Sequence, residues 1–413
     1  MFFLYNLLLH LASLLVKVAA YFSPKIKLFV AGRKTVFATL SQHLKPEDKT
    51  IWFHAASLGE FEQGLPVMEQ IKLQYPAHKI VVTFFSPSGF EVRKNNTIAD
   101  VTVYLPLDTK ANAETFLRLV HPDLVFFIKY EYWPNYLKAL KAAGITTYLI
   151  SGIFRENQAF FKWYGGFYRE ALKSFAYFFV QNEGSKLLLQ RLGYQNVAIS
   201  GDTRFDRVVS ILERDNHLDF MAQFKNGQPT VVIGSSWPKD EALLVDYINH
   251  SGSDVKFVIA PHNIKAEQIQ ELSQSITKKT VLFSEKEGKH LADYEVFIID
   301  TIGLLTKIYS YADLAYVGGG FGHPGVHNLL EPATFGIPIV LGPNYSHFAE
   351  ATALVQLEGC ISIKNQEELQ DAFALLIANE DIRHEKGHIC STFVQMNKGA
   401  TGIILRHLQN QYE

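Results

Sequence analysis

Short apolar runs of strand character alternate with helical stretches from Thr50 to Leu341, and this alternation limits the fold more than any other feature. In the first half the runs are Thr50–His54, Lys79–Phe85, Val101–Leu105, Leu124–Ile128, Thr147–Ile150 and Tyr177–Gln181. Helical patterns lie between them, as where Leu65, Met68 and Ile71 share one face, and again over 134–143 and 163–174. A strand that returns through a helix lies parallel to its predecessor, so the pattern predicts an α/β fold with helices on both faces of a parallel sheet. The pattern pauses at Gly201–Asp206 and over polar residues 213–228. It then resumes with Thr230–Ile233, a helix over Asp240–Asn249, Lys256–Ala260, Thr280–Phe283, Val296–Asp300, Leu314–Val317 and Ile337–Leu341. Two Rossmann-like domains are expected, 50–207 and 229–413, joined by a linker over 208–228, with the last helix free to pack back on the first domain. Ligands of such sheets sit outside the carboxyl ends of strands, and the cleft between two such domains is the expected site.

A chain of 413 residues suits two domains, and 48% hydrophobic with 19% charged residues is the composition of a folded protein. A net charge of −2 gives no reason to expect nucleic acid, and two cysteines exclude a disulfide framework or thiolate metal site. Residues 1–22 are mostly apolar, and positive charge follows them rather than leading, unlike a signal peptide. Between 23 and 49 the basic residues Lys25, Lys27, Arg33, Lys34, Lys45 and Lys49 form a basic linker. The segment reads as a membrane anchor, spanning or lying in the plane, with the rest of the chain cytoplasmic. A buried N-terminal helix is the alternative.

The strand ends carry the chemistry. In the first half they bear Ser57–Glu60, Ser86–Gly89, Lys129–Pro134, Ser151-Gly152 and Arg204; Glu60 and Glu131 are carboxylates suited to general-base work. In the second half they bear Gly234–Ser236, Pro261-His262, Asp300–Gly303, Gly342-Pro343 and a glycine loop within Tyr316–Glu331. That loop leads from a strand into a helix start at Asn328–Glu331, which suits a phosphate. Its G-x-G-x-x-G, Gly320 to Gly325, comes too late in the chain for a dinucleotide fingerprint, and Pro324 removes one donor. Plainer readings stand beside these. Ser57 and Glu60 have capping-box spacing; Glu131 lies where first-turn acids favour a helix dipole; Arg204 is flanked by Asp202 and Asp206. His323 and His327 suit ordinary loop residues, sugar or phosphate contacts, or, with Glu331, a metal site. No Asp-x-Asp occurs to hold a nucleotide's divalent ion.

Taken together, WFHAASLGE (52–60), PLD (106–108), EYWPN (131–135), SGDTRFD (200–206), APH (260–262), DTIG (300–303), HNLLEPA (327–333) and GP…FAEA (342–351) resemble the 3-deoxy-D-manno-octulosonic acid (Kdo) transferases of lipopolysaccharide synthesis. The resemblance implies a GT-B fold and an enzyme anchored at the cytoplasmic face of the bacterial inner membrane. It implies transfer of Kdo from CMP-Kdo to a lipid A precursor, with no metal or other cofactor. It makes Glu60 the general base, Glu131 and Arg204 groups that assist the transition state, and Pro261-His262, Ile302-Gly303-Leu304 and Asn328-Leu329-Leu330-Glu331 the CMP-binding segments. Three departures from the family pattern stand out: His262 where Arg is usual, Arg204 where Lys is common, and Ser151-Gly152-Ile153 where Asn-x-Arg is usual. The competing readings are a GT-B transferase or epimerase using another nucleotide sugar, and a membrane-tethered nucleotide-sugar-binding protein without catalysis.

Overall fold

The computed structural model describes residues 2–323 and 325–412, so Pro324 lies outside the described residues. The chain forms two units. The first runs through Arg207 and takes in the segment from Lys398 onward; the second is Val208–Asn397.

The first unit holds strands β1 (Lys49–Ala55), β2 (His78–Phe84), β3 (Val101–Tyr104), β4 (Pro122–Ile128), β5 (Thr146–Gly152), β6 (Tyr177–Val180) and β7 (Val197–Ile199), in the order β3-β2-β1-β4-β5-β6-β7. All neighbours pair parallel. Alternate residues of each strand enter opposite layers. Trp52 and Phe127 pack in one layer, and Phe53 stacks on Phe126 at 4.6 Å in the other. The short β7 is an element that the apolar pattern did not reveal.

The C-terminal helix Ala400–Tyr412 packs back on this unit, the placement the sequence left open, and the second unit ends at Asn397. Ile404, Leu405 and Leu408 enter the layer of Phe53 and Phe126. The Asp206 carboxylate accepts the amide of Thr401 (2.7 Å) and its hydroxyl (2.8 Å), and Tyr148 donates to Gln411 Oε1 at 3.0 Å. The basic stretch 23–49 is likewise folded, into helices Pro24–Lys34 and Val36–His43. Arg33 of that stretch donates to the carbonyls of Leu105 (2.9 Å) and Phe85 (2.8 Å) and lies 3.5 Å from the Phe29 ring centre. Burial lowers its pKa to about 10.

The second unit holds β8 (Thr230–Ser236), β9 (Lys256–Pro261), β10 (Thr280–Leu282), β11 (Val296–Ile298), β12 (Leu314–Val317), β13 (Ile339–Leu341) and β14 (Cys360–Ser362), parallel in the order β10-β11-β9-β8-β12-β13-β14. The stretch 208–228, expected as a linker, contains helix Asp219–Lys225. Its Met221 and Phe224 are buried, and Lys225 pairs with Asp313 at 2.7 Å. Two apolar residues three apart suffice to bury one face, although the surrounding composition is polar.

In each sheet the winding direction reverses once, between β1 and β4 and between β8 and β12. Those reversals open the crevices in which ligands of such sheets bind. The docking of the last helix is testable: Leu408→Ala, which empties a fully buried position, is expected to lower the stability of the first unit by about 2–5 kcal/mol in urea unfolding.

Candidate active site

At the β1/β4 reversal of the first unit stand Glu60 and Glu131. Helix Leu58–Gln74 begins directly after β1, which places the half-exposed Glu60 in its first turn. The capping box expected from Ser57-x-x-Glu60 does not form. Ser57 occupies the N-cap without accepting an amide, and its hydroxyl donates to Glu60 Oε2 instead. The serine therefore orients the carboxylate rather than the helix.

Glu131, after β4, is almost fully buried. Its Oε2 accepts Trp133 Nε1–H at 2.6 Å and lies 3.0 Å from His54 Nε2. Trp52 Nε1–H donates to Thr83 Oγ1 at 2.8 Å, and His54 Nδ1 lies 2.8 Å from the same oxygen. Trp133 Nε1–H also reaches His54 Nε2, at 3.0 Å, so indole, imidazole and carboxylate form one cluster. Lys129, which turns the chain out of β4, has φ 69°, and Ser151 in β5 has φ 50°. Such left-handed backbone in residues other than glycine costs energy and concentrates at functional sites.

Arg204 reaches Asp202 Oδ2 through Nε (2.9 Å) and a terminal nitrogen (2.8 Å), as its flanking acids suggested. Burial alone would raise the Asp202 carboxyl, but the Arg204 guanidinium, its amide and Gln63 Nε2–H outweigh it and hold the pKa below the ordinary value. The clasp joins helix Leu58–Gln74 to the SGDTRFD segment. Tyr130 completes the group. Its pKa is raised by burial; Arg155, which donates to it, and Arg204 oppose the rise, while the Glu60 charge adds to it. Glu60, Tyr130, Arg155 and Arg204 therefore share one electrostatic neighbourhood.

In the second unit, the β8/β12 reversal brings the glycine loop against the start of helix Pro238–His250. Asp240, fully buried, accepts the amides of Trp237 and Gly319 at 2.9 Å each and the Tyr316 hydroxyl at 2.9 Å. The Gly318 amide donates to Gly234 O. A Cβ on Gly318 would stand 2.3 Å from Ser235 O, and one on Gly319, at φ 94°, would stand 2.9 Å from the His327 ring. These glycines serve close backbone packing, and the amides of Gly318 and Gly319 are committed within the protein. The loop shapes the site more than it cradles an anion.

Three rings line this crevice. His262 stacks 4.5 Å from both Trp237 and His327, and Trp237 Nε1–H donates to His327 Nε2 at 2.7 Å. The helix expected from Asn328 is the short Leu330–Thr334, whose Leu330 amide is taken by Asn328 Oδ1 at 3.1 Å. Leu329 and Leu330 are buried, whereas Asn328 is exposed. Glu331 accepts Asn328 Nδ2–H (2.9 Å) and the Thr306 hydroxyl (2.7 Å), tying this turn to the loop that carries Ile302, Gly303 and Leu304. Ile302 is 75% exposed at its rim, and Pro261 leads His262 out of β9. Among the described residues no group of three His, Cys, Asp or Glu is arranged to hold a metal, and His327 and Glu331 turn to different partners.

Trp237, Asp240, His54, Gln63 and Arg155 escaped the sequence reading. His54 had a signal, a polar ring inside an otherwise apolar strand. The others are set by contacts between distant segments.

Residues 32–207 match the family model described as 3-deoxy-D-manno-octulosonic-acid transferase (kdotransferase). A 3-deoxy-D-manno-octulosonic acid transferase of Chlamydophila psittaci is 30% identical over 71% of this chain and 69% of that protein. One from Chlamydia trachomatis is 29% identical over 90% of both chains. The chain belongs to the Kdo transferase family. Its chemistry is accordingly Kdo transfer in lipopolysaccharide synthesis. The fold is likewise similar to a UDP-GlcNAc 2-epimerase from Neisseria meningitidis, with a TM-score of 0.60 and 16% identity over 88% of this chain and 100% of that one, which places this Kdo transferase in the GT-B class.

Glu131→Ala removes the carboxylate that Trp133 Nε1 and His54 Nε2 face, and a loss of about 1–3 kcal/mol is expected as a lower thermal midpoint. In the second unit, burial and the neighbouring His262 lower His327 from 6.5 to about 4. The unfolded chain therefore binds a proton that the folded ring refuses. This contribution is complete above pH 6.5 and is lost as pH falls toward 4. The urea midpoint is expected to fall across that window, with a shallower slope for His327→Gln.

Proposed function

We propose that this Kdo transferase moves Kdo from CMP-Kdo to a hydroxyl of a lipid A precursor at the cytoplasmic face of the inner membrane. The observation that carries the reading is Glu60: half-exposed at the β1/β4 crevice, oriented by the Ser57 hydroxyl and neighboured by Arg204. One oxygen held by serine leaves the other to receive the acceptor's proton.

The donor's anomeric carbon also bears a carboxylate, so departure of CMP builds oxocarbenium character there. In this reading the second unit binds CMP through His262, the Ile302–Leu304 loop and the Asn328–Glu331 turn, without a metal. The stacked rings of Trp237, His262 and His327 offer flat faces for a pyrimidine. Burial lowers the His262 pKa, so at neutral pH it meets a phosphate as a hydrogen-bond donor rather than as a cation. Arg204 offsets negative charge near the reacting centre. Glu131 keeps His54 and Trp133 in place beneath the acceptor side and acts as a positioning residue. A single displacement assisted by one base inverts the anomeric configuration.

Glu60→Gln is expected to reduce transfer by about a hundredfold to ten-thousandfold while CMP binding is retained. The readout is the mass of the lipid product after incubation with CMP-Kdo and a lipid A precursor. Near-parental turnover would remove Glu60 from the mechanism.

A further inference from the structure

Helix Phe2–Ala19 is long and apolar enough to cross a membrane, yet it lies along the first unit. Its partly buried residues are Phe2, Tyr5, Asn6, Leu9, Ser13, Val16 and Ala19, a spacing of three and four that runs down one face for the whole helix. The Tyr5 hydroxyl donates to Asp108 Oδ2 at 2.8 Å, and Asn135 Nδ2 donates to Asn6 Oδ1 at 3.1 Å. Phe2 packs on Phe167 at 4.7 Å. Toward the other end, Ser13 and Val16 line one cavity with Pro106 and Leu107. The opposite face leaves Phe3, Leu7, Leu11, Leu14, Leu15 and Val18 between 45% and 82% exposed.

We propose that this helix is an in-plane anchor, its half-buried stripe docked on the enzyme and its exposed apolar face sunk in the lipid of one leaflet. Eighteen residues rise about 27 Å, close to the roughly 30 Å of bilayer hydrocarbon. Crossing would therefore pull nearly the whole stripe away from the first unit and carry Asn6 into hydrocarbon. Docked, every polar group of the stripe that bonds the enzyme keeps its partner. The exposed Lys17 and Lys27 line one groove with Val18 and Tyr21, complementary to anionic headgroups. A second contact extends the surface. Trp163 is 92% and Tyr164 53% exposed, just before helix Gly166–Leu172, whose Phe167 touches Phe2 and Tyr5. Exposed aromatic pairs of this kind settle at the headgroup level.

The docking partners give the geometry a consequence for catalysis. Asp108 also accepts the amides of Asn135 (3.1 Å) and Tyr136 (2.9 Å), at the helix start that follows Glu131 and Trp133. The anchor thus grips the segment that ends the acceptor crevice and holds that crevice at the leaflet from which a lipid acceptor rises.

The inference rests on the membrane attachment proposed above, and two readouts separate them. The full chain, with an epitope ahead of Phe2, is added to sealed vesicles of phosphatidylethanolamine and phosphatidylglycerol. Co-flotation is expected; its absence overturns the attachment itself. External protease is then expected to remove the epitope, because an in-plane helix keeps both ends outside. A protected epitope means a spanning helix and overturns the in-plane geometry. Trp163→Ser is expected to weaken vesicle partitioning roughly tenfold with transfer to a detergent-dispersed acceptor unchanged. Parental partitioning by that variant removes the second contact.

Discussion

A parallel strand covered on both faces has no surface left for chemistry, so each sheet of this protein can act only where its strands end. The consequence is visible throughout. Trp52 and Phe53 spend β1 in opposite apolar layers, and the chain becomes polar and half-exposed only at Ser57–Glu60. The same holds for β4 before Glu131, for β9 before His262 and for β12 before the glycine loop.

Loops at strand ends need holding, and buried aspartates do much of it. Asp108 clasps the start of the helix after Glu131; Asp202 joins Gln63 to Arg204; Asp240 ties the glycine loop to the Trp237 turn. Each buried carboxylate is matched by two or more donors, the condition under which burying a charge is tolerable. Residues from several of the motifs that identify the family are therefore scaffold for one another. Glu60 differs from its neighbours in keeping a side chain open to solvent while one oxygen is already held.

The PLD and EYWPN segments link the N-terminal helix to the end of β4, since Asp108 and Asn135 bond each other's backbone and also that helix. The departure at Ser151-Gly152-Ile153 is accompanied by a guanidinium two residues on, Arg155, which reaches Tyr130 beside Glu60.

The alternation of apolar runs determined the two-sheet α/β fold, and the ordered motifs determined the family and the position of Glu60, because both are local patterns that one segment carries by itself. Short edge strands such as β7 and β14 were not readable, since three residues hold too little periodicity to register. The buried helix within 208–228 hid for a similar reason, with two apolar residues in a polar stretch. Tertiary structure alone decided that the last helix joins the first unit, that Ser57 serves Glu60 rather than its own helix, and that Glu131 is committed to His54 and Trp133. It also decided which face of the N-terminal helix meets protein and which is left exposed. Each of these depends on a contact between residues far apart in the chain, and no local pattern encodes the partner.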